Sequence, residues 1–278
     1  MFIDLKQHMP TGLSTLDPVF GGGIPPGSVV LLKGDIGSGK IEFAYTSLIY
    51  LSLMMPRDPA LDKSIIIPSE IRYVTVTKMR EDILREIGDS FASDLLENID
   101  MVQFDDLSDI YFDSSLVPIG WYSDYEDIIE RMEKRRRVHD NILTTLADML
   151  SEVPKESLII LDSLTEIATQ HISAGTWPDL TAFLRGLQRV AKKWRTTFYL
   201  ILTKGILNQW QEIEVADAVD AVIHFRWEES STAKRQRILY IEKFRGVLIH
   251  LEDREMVKFA VNISPLRGFE VSNIRVII

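Results

Sequence analysis

One segment constrains the fold more than any other: a glycine-rich loop between a short apolar run and an apolar helix. The run Ser28–Lys33 is apolar and β-branched, which is typical of a buried parallel strand. Gly34–Lys40 then reads Gly-Asp-Ile-Gly-Ser-Gly-Lys, and Ile41–Met55 carries apolar residues at helical spacing until Pro56. A strand, a glycine loop and a helix in this order are the context of a phosphate-binding loop.

The loop matches the pattern G-x-x-x-x-G-K-[ST] at every position except the last. Its glycines allow backbone N–H groups to converge on an anion, and the helix N-terminus adds the positive end of its dipole. Lys40 is expected to bridge the β- and γ-phosphates, whereas Ile41 lacks the hydroxyl that normally binds Mg²⁺. The predicted nucleotide-binding residues are Gly34, Asp35, Ile36, Gly37, Ser38, Gly39, Lys40 and Ile41.

A second candidate site residue ends the clearest buried strand of the chain. The segment Ser157–Asp162 reads Ser-Leu-Ile-Ile-Leu-Asp. A carboxylate in this place is typical of a Walker B site, which orients Mg²⁺ through water, so Asp162 is the predicted metal contact. The alternative is that Asp162 only caps the following helix, a role that Ser163 can also fill.

The remaining pattern alternates strands with helices and becomes rich in strands towards the C-terminus. The predicted strands are Ile71–Val76, Ile99–Phe104, Thr197–Leu202, Ala221–Arg226, Ile238–Lys243 and Val257–Ile263, and the predicted helices are Arg80–Phe91, Tyr125–Val153 and Pro178–Trp194. Residues 105–124 look irregular and acidic. This order predicts an α/β fold whose mostly parallel sheet is flanked by helices and extended by antiparallel strands. Because no linker or repeat divides the chain, residues 1–278 are expected to form one domain.

Composition bears on location and partners. The chain has 31 Lys and Arg against 41 Asp and Glu, a net charge of −10, which disfavours nucleic acid as a partner. It has no cysteine, no signal-like start and no apolar stretch near the ~20 residues that cross a bilayer, so we expect a cytoplasmic location without membrane binding. The basic cluster Arg131 and Lys134–Arg137 is either a partner site or a solvated face balanced by neighbouring acids.

Three further motifs accompany the loop. Thr11–Asp17 reads Thr-Gly-Leu-Ser-Thr-Leu-Asp, Gly21–Ser28 reads Gly-Gly-Gly-Ile-Pro-Pro-Gly-Ser, and Lys243–Gly246 reads Lys-Phe-Arg-Gly. Together with Asp162–Thr165, they stand in the same order as in the KaiC/RadA-like ATPases of the RecA superfamily. The chain resembles this family over residues 9–272. The resemblance implies a RecA-like fold with ATP, and in some cases Mg²⁺, as its ligands. It also implies that residues 105–150 are the segment that varies in the family.

The Lys-Phe-Arg-Gly segment carries a further implication of the resemblance. In the family, its Lys and Arg reach across a subunit boundary to the γ-phosphate of the neighbour. Lys243 and Arg245 are therefore expected to act in trans within a homo-oligomer, either a ring or a dimer. The alternative is an exposed strand edge with alternating charge.

The resemblance also exposes a departure on the hydrolytic side. Such domains usually end their second strand in a pair of glutamates, one of which polarises the attacking water, but the matching place holds Thr77 and Lys78. Glu81 and Asp82 are the remaining candidates for a catalytic base, although acids in a first turn also simply favour a helix N-terminus. Lys78 adds positive charge beside a bound phosphate, which predicts binding without turnover.

Three functions are consistent with these features. The first is a regulatory, KaiC-like ATP-binding protein that is at best a weak ATPase. The second is a pseudoenzyme that binds no nucleotide and serves as a scaffold for partner proteins, and the third is a recombination accessory protein like the RadA paralogues. Lys40 and the glycines favour the first over the second, whereas the net charge and the absence of Lys or Arg from Gly205 to Asp220 argue against the third.

Overall fold

A computed structural model describes residues 7–55, 64–113, 115–122, 141–229, 235–253 and 257–273. Strands and helices alternate along most of these residues, and strands dominate the end. In chain order the elements are β1 (Val29–Gly34), α1 (Lys40–Met54), β2 (Ile71–Thr75), α2 (Arg80–Ser90), β3 (Val102–Asp106), α3 (Ser108–Asp113), α4 (Ile142–Glu152), β4 (Leu158–Asp162), α5 (Leu164–Ser173), α6 (Trp177–Trp194), β5 (Thr197–Thr203), α7 (Gln209–Asp217), β6 (Ala221–Glu229), β7 (Arg235–Phe244), α8 (Leu248–Glu252), β8 (Lys258–Ser264) and β9 (Gly268–Asn273), with 3₁₀ turns at Ser93–Leu96, Ile99–Met101 and Ile119–Trp121.

The strands of the described residues form one nine-stranded sheet in the order β3-β2-β4-β5-β1-β6-β7-β8-β9. The pairs from β3 to β6 in that order are all parallel. The pairs from β6 to β9 are antiparallel. The predicted fold class, a mostly parallel α/β sheet with an antiparallel C-terminal extension, is confirmed. Because β1, β2 and β4 are parallel, the loops that follow them emerge at the same edge of the sheet.

Both faces of the sheet are covered by helices, which explains why the central strands are apolar throughout. In β1, Val30 and Leu32 point into the cluster beneath α1 and α2. Val29 and Leu31 point into the cluster beneath α4, α5 and α6. Phe43 of α1 packs edge-on against aromatic rings of the sheet, so the helix that follows the glycine loop is held firmly on its face.

The long helix predicted from Tyr125 to Val153 is not continuous. Asn141 has an extended backbone, and its side chain accepts a hydrogen bond from the N–H of Leu143, which starts a new helix at Ile142. The amphipathic pattern carried no sign of this cap. Residues 123–140, including the rest of that predicted helix and the basic cluster, lie outside the described residues.

Two other predictions differ from the structure. Ile99–Met101 is a 3₁₀ turn, and β3 begins only at Val102. The stretch 105–124, predicted to be irregular, contains α3, and the side chain of Asp106 accepts the N–H of Ser108, the first residue of that helix. Strand β9 was not predicted, since its pairing partner β8 is visible only in the assembled sheet.

No helix within the described ranges is both long and apolar enough to cross a membrane.

Candidate functional site

The glycine loop lies at the carboxyl end of β1 and leads directly into α1. Gly39, at the N-cap of α1, has φ 107°, a left-handed conformation that side chains rarely adopt. A Cβ atom at Gly34 would lie 2.6 Å from the carbonyl oxygen of Phe225, so the close approach of β6 also requires glycine there. The loop therefore has the tight backbone that the motif predicts.

Lys40 projects back over the loop that precedes it. Its side chain is buried, and its Nζ donates to the carbonyl oxygen of Asp35 at 3.2 Å. Burial lowers the pKa of Lys40, against the opposing charges of carboxylates that include Glu42 and Asp162. A buried ammonium with three donors is stabilised by anionic oxygens, so phosphate is a fitting partner for this group.

Ile41 has no role as a metal ligand in this site. Its alkyl side chain packs against the apolar cluster beneath α1. In the part of the chain that the structure describes, no group of three or more His, Cys, Asp or Glu side chains is placed to hold a metal ion. Asp162 is the sole acid that the motifs assign to Mg²⁺, and Ile41 supplies no hydroxyl as a second ligand from the protein.

Asp162 is the last residue of β4, as predicted, and it faces the second strand. The hydroxyl of Tyr73 donates to its Oδ2 at 2.6 Å. Burial raises the pKa of Asp162, while the Tyr73 hydroxyl and the charges of Lys78 and Lys40 act to lower it. The cap of α5 is Ser163, whose Oγ accepts the N–H of Thr165 at 3.1 Å, so the alternative assignment of Asp162 as the cap is wrong.

The predicted position of the catalytic glutamates holds an ion pair instead. Thr77 is exposed, and the Nζ of Lys78 donates to both carboxylate oxygens of Glu86 at 2.9 and 2.8 Å. The hydroxyl of Tyr45 donates to the same carboxylate at 2.8 Å, and the Tyr45 ring lies 5.9 Å from that of Tyr73. Burial acts to raise the pKa of Glu86, but the hydrogen bonds from Lys78 and Tyr45 outweigh it and lower that pKa.

Among the hydrogen bonds and ion pairs of the described residues, none joins Glu81 or Asp82 to the phosphate loop. Both lie in the first turn of α2, where Glu81 is exposed and Asp82 forms an ion pair with Arg85 at 3.5 Å. Neither carboxylate is among the charges that shift the pKa of Lys40 or Asp162. Their placement agrees with the alternative expectation that they favour the helix N-terminus.

Lys243 and Arg245 lie far from the loop of their own chain. The Nζ of Lys243 donates to the carbonyl oxygens of Ala216, Asp217 and Val219 at 2.7, 3.2 and 2.8 Å, where α7 ends. Arg245 donates to that of Asp217 at 3.2 Å. Because β7 runs antiparallel to β6, these residues lie at the opposite edge of the sheet from the loop. Strand β7 pairs with β8 only over Arg237–Tyr240, so Lys243 and Arg245 lie beyond that pairing, at a strand end where Arg245 is exposed.

Two residues that the sequence did not identify contact the loop. The indole Nε1 of Trp227 donates to the carbonyl oxygen of Ile36 at 3.2 Å, and the Nε of Arg237 donates to that of Gly37 at 3.1 Å. They form a cross-strand pair of β6 and β7, which no local pattern reveals. The Tyr45–Glu86–Lys78 contacts were missed because they join α1, α2 and the segment after β2, whose proximity no local pattern reveals.

Comparisons with known proteins agree with this architecture. No family model matches the chain. A stretch of 36 residues is 62% identical to the DNA repair protein RadA of Mycolicibacterium smegmatis, but it spans only 13% of this chain and 8% of that curated relative. Among solved structures, the KaiC-like protein of the archaeon Pyrococcus horikoshii is similar over 96% of this chain and 99% of its own, with a TM-score of 0.58 and 17% identity. The chain therefore has the RecA-like fold of KaiC/RadA-like proteins.

Proposed function

We propose that this chain, with its KaiC-like RecA fold, binds ATP at Gly34–Lys40, hydrolyses it weakly or not at all, and acts as a regulatory element. One observation carries the proposal. Beside a phosphate loop that keeps its glycines and Lys40, the place of the water-polarising glutamates holds Lys78, whose ammonium is paired with Glu86.

The binding part of the proposal is supported by the loop itself. Gly39 lets the backbone turn into α1 in a left-handed conformation, and the dipole of this 15-residue helix adds favourable potential for an anion at its N-terminus. Lys40 is buried beside the loop, so a bound phosphate compensates an ammonium that water reaches poorly. Preformed donors of this kind favour a polyphosphate over a neutral ligand.

The loss of hydrolysis is supported by three replacements. Ile41 supplies no hydroxyl to a metal ion, and Thr77 is a poor proton acceptor at neutral pH. An ammonium such as that of Lys78 has no lone pair with which to accept a proton from water. A positioned general base contributes about 10²–10⁴-fold to a rate, so its removal alone leaves turnover slow.

Positive charge beside the bound phosphates comes from the protein in this proposal. The charges of Lys40 and Lys78 both act to lower the pKa of Asp162, the carboxylate that the motif assigns to Mg²⁺. Since Ile41 supplies no hydroxyl to this ion, we expect ATP affinity to depend little on it. In the same proposal Lys243 and Arg245 complete the site of a neighbouring copy, as the resemblance implies.

An ATP titration with and without Mg²⁺, followed by a phosphate-release assay, tests the proposal. We expect binding in both conditions, with affinities within about tenfold of each other, and no release above background. Lys40→Ala should weaken binding by about 10- to 100-fold, because it removes a charge-assisted phosphate contact. Lys193→Ala, an exposed lysine on α6, is the matched control and should bind normally.

Two results would contradict the proposal. A strict Mg²⁺ requirement with brisk phosphate release would identify an ordinary ATPase. The absence of any binding would favour the scaffold function instead.

A second candidate function follows from the stretch that is 62% identical to a DNA repair protein. Binding to single-stranded DNA is the property that separates this candidate from the first. Against it, the net charge is −10, and residues 205–217 present exposed Ile206, Trp210 and Ile213 without a basic residue. A DNA mobility-shift assay at physiological salt decides between them.

A further inference from the structure

We propose that Trp227 and Arg237 are positioning residues of the phosphate loop, which hold its tip by the outward-facing carbonyl groups so that the amides face the ligand. The inference rests on the proposed function in one respect, namely that the ligand is the polyphosphate of a nucleotide. It adds a role for the antiparallel extension, which the loop motif does not include.

Three successive carbonyl oxygens at the loop tip are each held by a donor. That of Asp35 accepts from the Oγ of Ser38 at 2.7 Å and from Lys40 at 3.2 Å. The next two, of Ile36 and Gly37, accept from the side chains of Trp227 and Arg237, as described above. The two bonds to the carbonyl oxygen of Asp35 come from within the loop motif, whereas the bonds to Ile36 and Gly37 come from β6 and β7.

Fixing these carbonyl groups also fixes the amides. In an anion nest, successive N–H groups converge on one side of the backbone, and the carbonyl groups point away from that side. Donors that hold the carbonyl oxygens of Ile36 and Gly37 from outside therefore keep the neighbouring peptide planes oriented for a phosphate. Ile36 is 82% exposed, so its side chain gives the tip no apolar anchor, and the polar contacts are what hold it.

The beginning of the loop is joined to β6 as well. The N–H of Asp35 donates to the carbonyl oxygen of Phe225 at 3.1 Å, and the N–H of Trp227 donates to Oδ2 of Asp35 at 3.2 Å. The same strand thus binds both the start of the loop and its tip. Movement of β6 relative to β1 is limited by their parallel pairing, so the loop is held against a rigid element.

The side chains that hold the tip are themselves kept in place. The guanidinium group of Arg237 lies 4.6 Å from the centroid of the Trp227 ring. Arg237 and Trp227 are direct partners in the β6–β7 register. Because stacking and register both fix Arg237, its hydrogen bond to the loop costs little side-chain entropy on forming.

This arrangement offers a matched pair of variants. Arg237→Gln removes the donor to Gly37, whereas Arg235→Gln removes a guanidinium group from the same indole without touching a described loop atom. Trp227→Phe keeps an aromatic ring but removes the donor to Ile36. We expect Arg237→Gln and Trp227→Phe to weaken ATP and tripolyphosphate binding about 5- to 10-fold, and Arg235→Gln to change it less than about twofold.

Hydrogen exchange of the loop amides in protein without nucleotide provides a second measurement that needs no ligand. Residues 36–39 should exchange faster in Arg237→Gln than in Arg235→Gln, with equal thermal midpoints for the two variants. Equal exchange rates would overturn the inference, even if the wild-type protein binds no ATP and the proposed function has failed. Equal losses of affinity and of thermal midpoint in both variants would also overturn it, because they indicate a general effect on stability.

Discussion

The two sides of the candidate site differ in where their polar groups point. On the loop side, the carbonyl oxygens of Ile36 and Gly37 are bonded to Trp227 and Arg237, and we expect Lys40 and the N-terminus of α1 to meet the ligand. On the hydrolytic side, the ends of β2 and β4 are bonded to each other and to α1 and α2. One side is open to an anion, and the other is internally satisfied.

This difference separates binding from turnover. A phosphate needs only converging donors and positive charge, which the loop side supplies by itself. Hydrolysis needs in addition a group that accepts a proton from water, and Glu86, the carboxylate paired with Lys78, already accepts from Lys78 and Tyr45. A phosphate loop in a sequence therefore predicts a ligand, while the neighbouring strand ends determine the chemistry.

The largest effect is expected from a variant that restores the missing catalytic groups on the hydrolytic side. Ile41→Thr combined with Lys78→Glu and Glu86→Gln restores a hydroxyl and a carboxylate, and the glutamine avoids repulsion between two acids. We expect phosphate release to rise about 100-fold over wild type and to require Mg²⁺, because a base and a metal ligand return together. The measurement is steady-state phosphate release with ATP at both Mg²⁺ conditions.

Ile41→Thr alone is the control for that variant and should gain Mg²⁺ dependence in binding without gaining turnover. If the triple variant folds, binds ATP and still releases no phosphate, the missing groups are not what limits hydrolysis here.

We expect Tyr73→Phe to have an intermediate effect, on the free energy of unfolding. This variant tests the hydrogen bond that joins β2 to the end of β4 on the hydrolytic side. The Tyr73 hydroxyl stabilises the Asp162 carboxylate, so its removal should lower the free energy of unfolding by about 1–3 kcal/mol at pH 8. The hydroxyl favours the charged form and opposes the rise in the pKa of Asp162 caused by burial. Its contribution is therefore present above that pKa and is lost as the pH falls through it, which predicts a smaller effect at pH 5.

Urea denaturation at the two pH values measures this effect. In an Asp162→Asn background, Tyr73→Phe should show the same cost at both pH values, since no carboxylate remains to titrate. A cost independent of pH in the wild-type background would mean that the hydroxyl does not act through Asp162.

The smallest effect concerns the residues at the opposite edge of the sheet. Lys243→Gln should lower the free energy of unfolding by about 0.5–1.5 kcal/mol, because it removes an ammonium from the C-terminal carbonyl groups of α7. Lys243 lies six residues along β7 from Arg237, which contacts the loop, and this distance is about 20 Å. We therefore expect no effect on ATP binding at the phosphate loop of the same chain.

A role of Lys243 in the site of a neighbouring copy predicts a second effect of Lys243→Gln. The variant should weaken ATP binding only at protein concentrations where sedimentation velocity shows an oligomer. Equal affinity for ATP in monomer and oligomer, in both wild type and Lys243→Gln, would leave the cap of α7 as the function of this lysine.

Much of the fold was predictable because its signals are local. The run Val29–Leu32 is apolar at every position because helices cover both faces of its strand. These four residues alone are enough to predict a buried strand. The interruption of the predicted helix Tyr125–Val153 at Asn141 was not predicted, because the apolar residues on both sides of Asn141 have helical spacing and hide the cap. Strand β9 escaped notice for a different reason, since its stability comes from pairing with β8.

The sequence by itself determined the phosphate loop and its defects. The glycines permit one tight backbone, Lys40 follows at a fixed distance along it, and neither Ile41 nor Lys78 can do the chemistry of the residue that the pattern expects. These are properties of single residues and of spacing along the chain, so they survive without a structure.

Only the tertiary structure decided what surrounds the loop. The partner of Lys78 is on α2, the donors to the loop tip are on β6 and β7, and Lys243 lies at the far edge of the sheet. Each of these depends on strand order, strand direction and register. The physical reason is that such contacts join segments whose proximity is produced by burial of the whole sheet, and nothing in either segment alone encodes it.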